Sequence, residues 1–254
     1  MGIISIVNQK GGVGKTTTAV NVSSFLALQN KKVLLIDLDP QGNATTGLGI
    51  DKMGLDNSVY NVLIEDINIE NVIIKNLYNN LDVLPAKIDL AGAEIELVGK
   101  MSREKKLKKS LDKIKSNYDV IIIDCPPSLG LLTINALSSS DSVIIPIQCE
   151  FYALEGLSQL LNTINIVKSE LNPELEIGGI ILTMFDQRIK LSEEVVKEVK
   201  NYFKDKVFET IIPRNVRLSE SPSYGKPISE YDQKSKGALA YENVAKEVIK
   251  YGLA

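Results

Sequence analysis

Gln9-Lys10-Gly11-Gly12-Val13-Gly14-Lys15-Thr16-Thr17-Thr18 is the stretch that decides the fold. An apolar run, Ile3-Ile4-Ser5-Ile6-Val7, precedes it, and a helical pattern from about Thr16 to Leu28 follows. Strand, glycine loop and helix together are the context of a phosphate-binding loop. The glycines let successive backbone N–H groups turn inward with no Cβ in the way. The helix start adds unpaired N–H donors and the positive end of its dipole. In such a loop Lys15 reaches the β- and γ-phosphates of a nucleotide, and the Thr16 hydroxyl ligates Mg²⁺. The generic pattern G-x-x-x-x-G-K-[ST] has glycine where this chain has Gln9, and Lys10 puts a second lysine inside the loop.

The composition narrows the chemistry. With 254 residues, 44% hydrophobic and 24% charged, the chain reads as one globular domain, 1–254. No apolar run approaches a membrane span, and the first apolar run lacks the basic flank of a signal peptide. Met1-Gly2 resembles a myristoylation start, but Ile6 stands where that motif needs Ser or Thr. Two cysteines, Cys125 and Cys149, give neither a disulfide framework nor a metal cluster and fit a reducing, cytoplasmic setting. There is no histidine, so imidazole catalysis is excluded. A net charge of −3 argues against a whole-surface nucleic-acid binder; such binding needs a local basic patch.

Outward from the loop, apolar runs alternate with helical patterns. Strands are expected at 32–37, 81–85, 118–124, 143–147, 177–183 and 207–212. Helices are expected at 131–139, 153–171, 195–203 and about 241–249, the last with Tyr241, Val244, Ala245, Val248 and Ile249 at helical spacing. Residues 38–47 read as a loop and 50–80 as short helices. Pro146 gives up a ladder N–H, which implies an edge or bulge. Residues 91–118 read as mostly helical, with a lysine-rich outer face that is a solvated one. The alternation implies a doubly wound, mostly parallel α/β sheet with helices on both faces, a P-loop NTPase architecture.

Ligands in such sheets sit at the carboxyl ends of the strands, where this reading places Lys15, Asp37, Asp39 and Asp124. Asp124 closes an apolar strand and is the candidate Mg²⁺ partner, through water. Asp37 and Asp39 lie two apart and project to the same side of an extended chain. One can serve the Mg²⁺ shell and the other the attacking water, with Asp39 the better reactive group. No Asn-Lys-x-Asp guanine reader is present, which favours ATP.

Lys10-Gly11-Gly12-Val13-Gly14-Lys15-Thr16 resembles the deviant Walker A loop of the ParA/MinD ATPases. Asp37-Leu38-Asp39-Pro40-Gln41-Gly42-Asn43-Ala44-Thr45, Asp124-Cys125-Pro126-Pro127-Ser128-Leu129-Gly130 and Ile212-Pro213-Arg214-Asn215-Val216-Arg217-Leu218-Ser219-Glu220 are similar to the chromosomal Soj-type ParA branch (SIMIBI-like). The resemblance spans nearly the whole chain, and the deviant loop does not require glycine at position 9. It implies an ATP-dependent homodimer with Lys10 reaching the partner's phosphates, as an arginine finger does. It implies nucleotide contacts from 10–17, including Val13 and Thr17, and adenine contacts from Pro213 and Asn215. Asp39 matches the water-activating position. Glu150, Phe151 and Tyr152 are candidate dimer contacts.

The resemblance further implies nonspecific double-stranded DNA binding by Arg188, Arg217 and Lys226, a ParB-type partner that triggers hydrolysis, and a nucleoid address. Lys234 and Lys236 widen that patch. No helix-turn-helix precedes the loop, which argues against operator binding. A MinD-like membrane switch is the alternative; it needs a C-terminal amphipathic anchor, and the tail from Glu242 to Ala254 looks committed to the core. A cluster carrier needs paired surface cysteines, and a small-molecule kinase explains Lys10 poorly.

Overall fold

The structure is a computed structural model, and it describes residues 2–150, 153, 154 and 156–254. Among the described residues seven strands form one sheet in the order β3-β4-β2-β5-β1-β6-β7. They are β1 (Gly2–Ile6), β2 (Val33–Asp37), β3 (Ile74–Tyr78), β4 (Leu81–Leu84), β5 (Val120–Asp124), β6 (Ser142–Gln148) and β7 (Glu176–Thr183). All neighbours pair parallel except the edge hairpin β3–β4. The parallel strands are apolar on both faces because helices cover both.

The two faces draw on alternate residues of the same strands. Ile121 and Ile123 face one layer, Val120 and Ile122 the other. The first layer holds α3 (Val59–Ile64), α4 (Leu90–Glu96), α5 (Lys106–Leu111), α6 (Leu131–Ser139), α7 (Leu157–Glu170) and α8 (Lys190–Phe203). The second holds α1 (Lys15–Leu28), α2 (Asn43–Gly47), α9 (Val216–Glu220), α10 (Ile228–Tyr231) and α11 (Lys236–Lys250). Tyr241 on α11 is fully buried, and its hydroxyl pairs with Thr18 Oγ1 of α1 at 3.0 Å.

Several expectations are corrected. Residues 207–212 form no strand; only Val207 and Pro213 make isolated bridges, to Ile180 and Phe185. Residues 91–118 break into α4, α5 and three short 3₁₀ turns, with Ser102 at a positive φ of 51° between them. The 50–80 region holds the edge strand β3 besides its short helices, and the 38–47 loop contains α2. The helix expected from 153 begins at Leu157, after Gly156 at φ 75°. Of the edge or bulge expected from Pro146, the bulge is present: the strand is interior, between β1 and β7, and its register with β7 shifts between Val143 and Ile144. Val7 N–H donates to Ile144 O, and β1 has ended by the level of Pro146, where the Asn8 side chain donates to its carbonyl instead. The missing N–H therefore faces a place with no ladder partner to lose.

Candidate functional site

The parallel register brings three strand ends to one level. Ile6 pairs with Asp124, and Asp37 pairs with Asp124 across the next strand boundary. The chain leaves β1 into the glycine loop there. Gly12 and Gly14 take φ of 76° and 90°, a region that L side chains rarely adopt. Gly14 is the N-cap of α1 and Thr18 N–H closes onto its carbonyl at 2.9 Å.

The loop is pinned from three sides. Asn8 Oδ1 accepts Lys10 N–H at 2.9 Å while its Nδ2 donates to Pro146 O at 2.7 Å, tying the loop's start to β6. Thr183 Oγ1, at the end of β7, donates to Val13 O at 2.9 Å. Lys15 Nζ folds back to donate to Lys10 O at 2.9 Å. Burial lowers the Lys15 pKa, while Asp124, Cys125 and Asp39 pull it up in part. Lys15 is thus a desolvated cation aimed at the concave side of the loop, a good match for a phosphate.

The three aspartates differ in what they already do. Asp37 is fully buried; its Oδ2 accepts Thr45 N–H at 2.8 Å and Thr45 Oγ1–H at 2.7 Å, and its Oδ1 accepts Asp39 N–H at 3.2 Å. It braces the loop and α2, leaving little of its carboxylate for a metal. Burial still lifts its pKa to about 6, against those hydrogen bonds. Asp39 Oδ1 accepts Gln41 N–H at 2.9 Å, and no bond to its Oδ2 exists among the described residues. Asp124 is fully buried, and neither carboxylate oxygen has a hydrogen-bond partner among the described residues. Burial first, then the Asp37 charge, push its pKa well above the usual carboxylate value, with the Thr16 hydroxyl, close by but not in hydrogen-bonding geometry, and Lys15 pulling back. A buried carboxylate with no partner beside Thr16 is the donor arrangement a hydrated Mg²⁺ fits.

A cavity of about 490 Å³ opens beside the loop, bordered by Gly14, Thr17, Met184, Pro213, Asn215 and Pro222 among others. It is large enough for a purine and ribose. Asn215 lines it and also caps α9, its Oδ1 accepting Arg217 N–H at 2.8 Å. Pro213 is held by its bridge to Phe185.

The cations named for DNA lie outside this pocket and are partly engaged. Arg188 pairs with Asp186 through Nε at 2.9 Å and a terminal nitrogen at 2.7 Å, which holds the Asp186 pKa down at about 2. Arg217 pairs with Glu220 at 2.9 Å and Asp232 at 3.5 Å. Lys226, Lys234 and Lys236 are exposed. Glu150 accepts Arg214 at 3.2 Å, whereas Phe151 and Tyr152 lie outside the described residues. Cys125 and Cys149 are both buried.

Sequence reasoning missed Asn8, Thr45, Thr183 and Glu94. The Glu94 carboxylate, on α4, accepts Leu131 and Leu132 N–H at 2.8 and 3.3 Å and so caps α6 just after the 124–130 loop. A Cβ on Gly130 would meet it at 2.5 Å. Asn8 and Thr183 were polar residues just past or at a strand end, and Thr45 closed the Asp37–Thr45 motif without an assigned role; Glu94 carried no signal.

A family model described as an AAA domain matches residues 1–177. The sporulation initiation inhibitor protein Soj of Bacillus subtilis is 61% identical, over 98% of this chain and 99% of its own. The chromosome partitioning protein ParA of Myxococcus xanthus is 55% identical, over 98% and 88%. Among solved structures, a Mycobacterium smegmatis protein titled cobyrinic acid a,c-diamide synthase, with bound ATP analogue and magnesium, superposes with TM-score 0.88 at 39% identity, covering 99% of this chain and 96% of that one. A putative plasmid partition protein of Borrelia burgdorferi bound to AMPPNP gives 0.82 at 32%, covering 98% of each.

Fold and site together define a P-loop ATPase. The chain belongs to the ParA/Soj family of chromosome-partitioning ATPases.

Proposed function

We propose that residues 1–254 work as one ATP-driven DNA-segregation switch. The observation that carries the nucleotide half is Asp124, a buried carboxylate left without a partner opposite Lys15 and Thr16. The P-loop N–H groups, from Lys10 through Thr17, and Lys15 hold the phosphates; Thr16 and, through water, Asp124 hold Mg²⁺. Asp37 serves that shell indirectly, through the brace it makes with Thr45. Pro213 and Asn215 border the adenine pocket. Bound ATP and Mg²⁺ supply the phosphoryl group and its charge compensation. Asp39 keeps Oδ2 for orienting the attacking water. Lys10, half-buried and anchored through its backbone rather than its ammonium, supplies positive charge to a second copy, so hydrolysis depends on the homodimer.

Arg188, Arg217 and Lys226 contact the backbone of double-stranded DNA without reading sequence. Solvent-reached ion pairs such as Arg188–Asp186 and Arg217–Glu220 are screened by water and salt, so a phosphate can take the place of the carboxylate. Three cations in each of two copies give a salt slope of about −5. A ParB-type protein that triggers hydrolysis then releases the dimer, and the working place is the cytoplasm, on the nucleoid. The MinD-like alternative is less well supported, because Val244, Ala245 and Val248 of α11 are buried in the core and do not form a free apolar face.

The test is mass by light scattering and DNA retention, each with ATP and with ADP. A dimer retained on DNA only with ATP is expected; a monomer in ATP, or retention indifferent to nucleotide, contradicts the reading.

A further inference from the structure

Lys226 sits on a segment clamped between the P-loop helix α1 and the catalytic loop, the stretch 38–49 after β2 that carries Asp39 and α2. The clamp on one side is a contact between two backbones. Gly49, two residues past α2, has φ 83°, and Gly225 has φ 63°. A Cβ on Gly49 would lie 2.9 Å from Gly225 O, and a Cβ on Gly225 would lie 2.7 Å from Gly49 Cα. Both obstacles are main-chain atoms, so neither can swing aside as a side chain would. Gly47, the last residue of α2, faces Pro222 with 3.6 Å for an added Cβ. Tyr78 on the edge strand donates its hydroxyl to Gly225 O at 3.1 Å and fixes the contact from outside.

On the other side the clamp is a relay of hydrogen bonds through the Asn21 side-chain amide. Ile228 N–H donates to Asn21 Oδ1 at 2.8 Å, and Asn21 Nδ2 donates to Thr17 O at 2.8 Å. Lys226 and Thr16, with Thr17, Asn43 and Thr46, border one cavity of about 280 Å³. The candidate metal ligand and the candidate DNA lysine are thus walls of the same space.

From these contacts we propose that the Gly49–Gly225 contact is the joint that positions Lys226 according to the state of the catalytic loop. Asp37 holds Thr45, Thr45 belongs to α2, α2 runs into Gly49, and Gly49 bears on the residue before Lys226. A displacement of the loop reaches Lys226 through close-packed main chain, which shifts as a body rather than absorbing the motion. Coupling of this kind is reciprocal: DNA on Lys226 must alter nucleotide affinity by the factor by which nucleotide alters DNA affinity. The inference rests on the DNA-binding reading given above.

The test measures affinity for a nonhydrolysable ATP analogue with and without duplex DNA, and for duplex DNA with and without the analogue. Wild type, Gly225→Ala and Tyr78→Phe are compared. The wild type should show mutual enhancement of about tenfold, within the range usual for coupled sites. In Gly225→Ala that factor should fall severalfold, to the part that dimerisation and Arg188 and Arg217 supply, while analogue affinity without DNA stays within about twofold. Tyr78→Phe adds no bulk and should lower the factor part of the way, which keeps the test decisive if Gly225→Ala does not fold. Full wild-type enhancement in Tyr78→Phe, together with either full enhancement or unfolding in Gly225→Ala, overturns the proposal. A wild type that does not bind DNA at all instead overturns the functional reading on which it rests.

Discussion

Replacing Asp124 by Asn should stabilise the nucleotide-free protein and remove its response to Mg²⁺. Asp124 is buried, neither of its oxygens has a partner among the described residues, and its register partner on the neighbouring strand is Asp37. An uncompensated buried ion costs several kcal/mol. An amide of nearly the same shape removes that cost but leaves a buried polar group worth ~1–3 kcal/mol of desolvation. The raised pKa of Asp124 means that the gain grows as pH rises and the carboxyl ionises, and each ~1 kcal/mol of it raises Tm by roughly 2–4 °C for a chain of this size. The assay is thermal unfolding with ATP analogue in Mg²⁺ or in EDTA. At about 100 times Kd a ligand adds ~2.7 kcal/mol, and in the wild type that gain should need Mg²⁺. In Asp124→Asn the gain should be the same with Mg²⁺ and EDTA. A lower Tm without nucleotide, joined to a retained Mg²⁺-dependent gain, would refute the assignment of Asp124 as the metal partner.

Three further outcomes are expected. Asp37 has a folded pKa of about 6, above its unfolded value, so the folded state holds the proton more tightly. The stability this gives, ~3 kcal/mol, is present below about pH 4 and lost as pH rises through about 6. Urea unfolding of wild type and Asp37→Asn at pH 4.5 and 7.5 isolates it; an equal pH dependence in both would contradict the burial argument. Lys15→Ala should lose ATP binding by at least ~100-fold, since a charge-assisted phosphate contact in a desolvated site disappears; calorimetry showing retained affinity would sink the loop assignment. Arg217→Glu should keep ATP-driven dimers but cut DNA retention and flatten the salt slope by ~2, one contact in each copy. Unchanged retention at low salt would remove Arg217 from the DNA surface.

Much of the architecture was legible because burial on both sheet faces writes itself as continuous apolar strands. Leu34-Leu35-Ile36-Asp37 and Ile121-Ile122-Ile123-Asp124 each end on the carboxylate that matters, so periodicity located strands and site together. The 207–212 segment misled by the same logic: Val207, Phe208 and Ile212 are buried, yet they pack as an extended crossing segment with two isolated bridges. The edge strand β3 was hidden by its exposed Lys75 and Asn76, which interrupt the apolar pattern. Glycine at 12 and 14 was readable from local backbone demands. Asn8, Thr45, Thr183 and Glu94 were not, because each acts through hydrogen bonds to residues distant in sequence or to a loop whose course only the fold determines. Likewise, Asp37 looked free to serve a metal until Thr45 was seen to occupy it.

The central claim is that ATP makes this chain grip DNA. It is tested most directly by sedimenting Asp39→Ala with ATP and Mg²⁺ against duplex DNA and against anionic liposomes in parallel. The account predicts a stable dimer that pellets with DNA and not with liposomes, because binding survives while water activation is lost. Pelleting with liposomes alone, or no ATP-dependent pelleting with DNA, would contradict it.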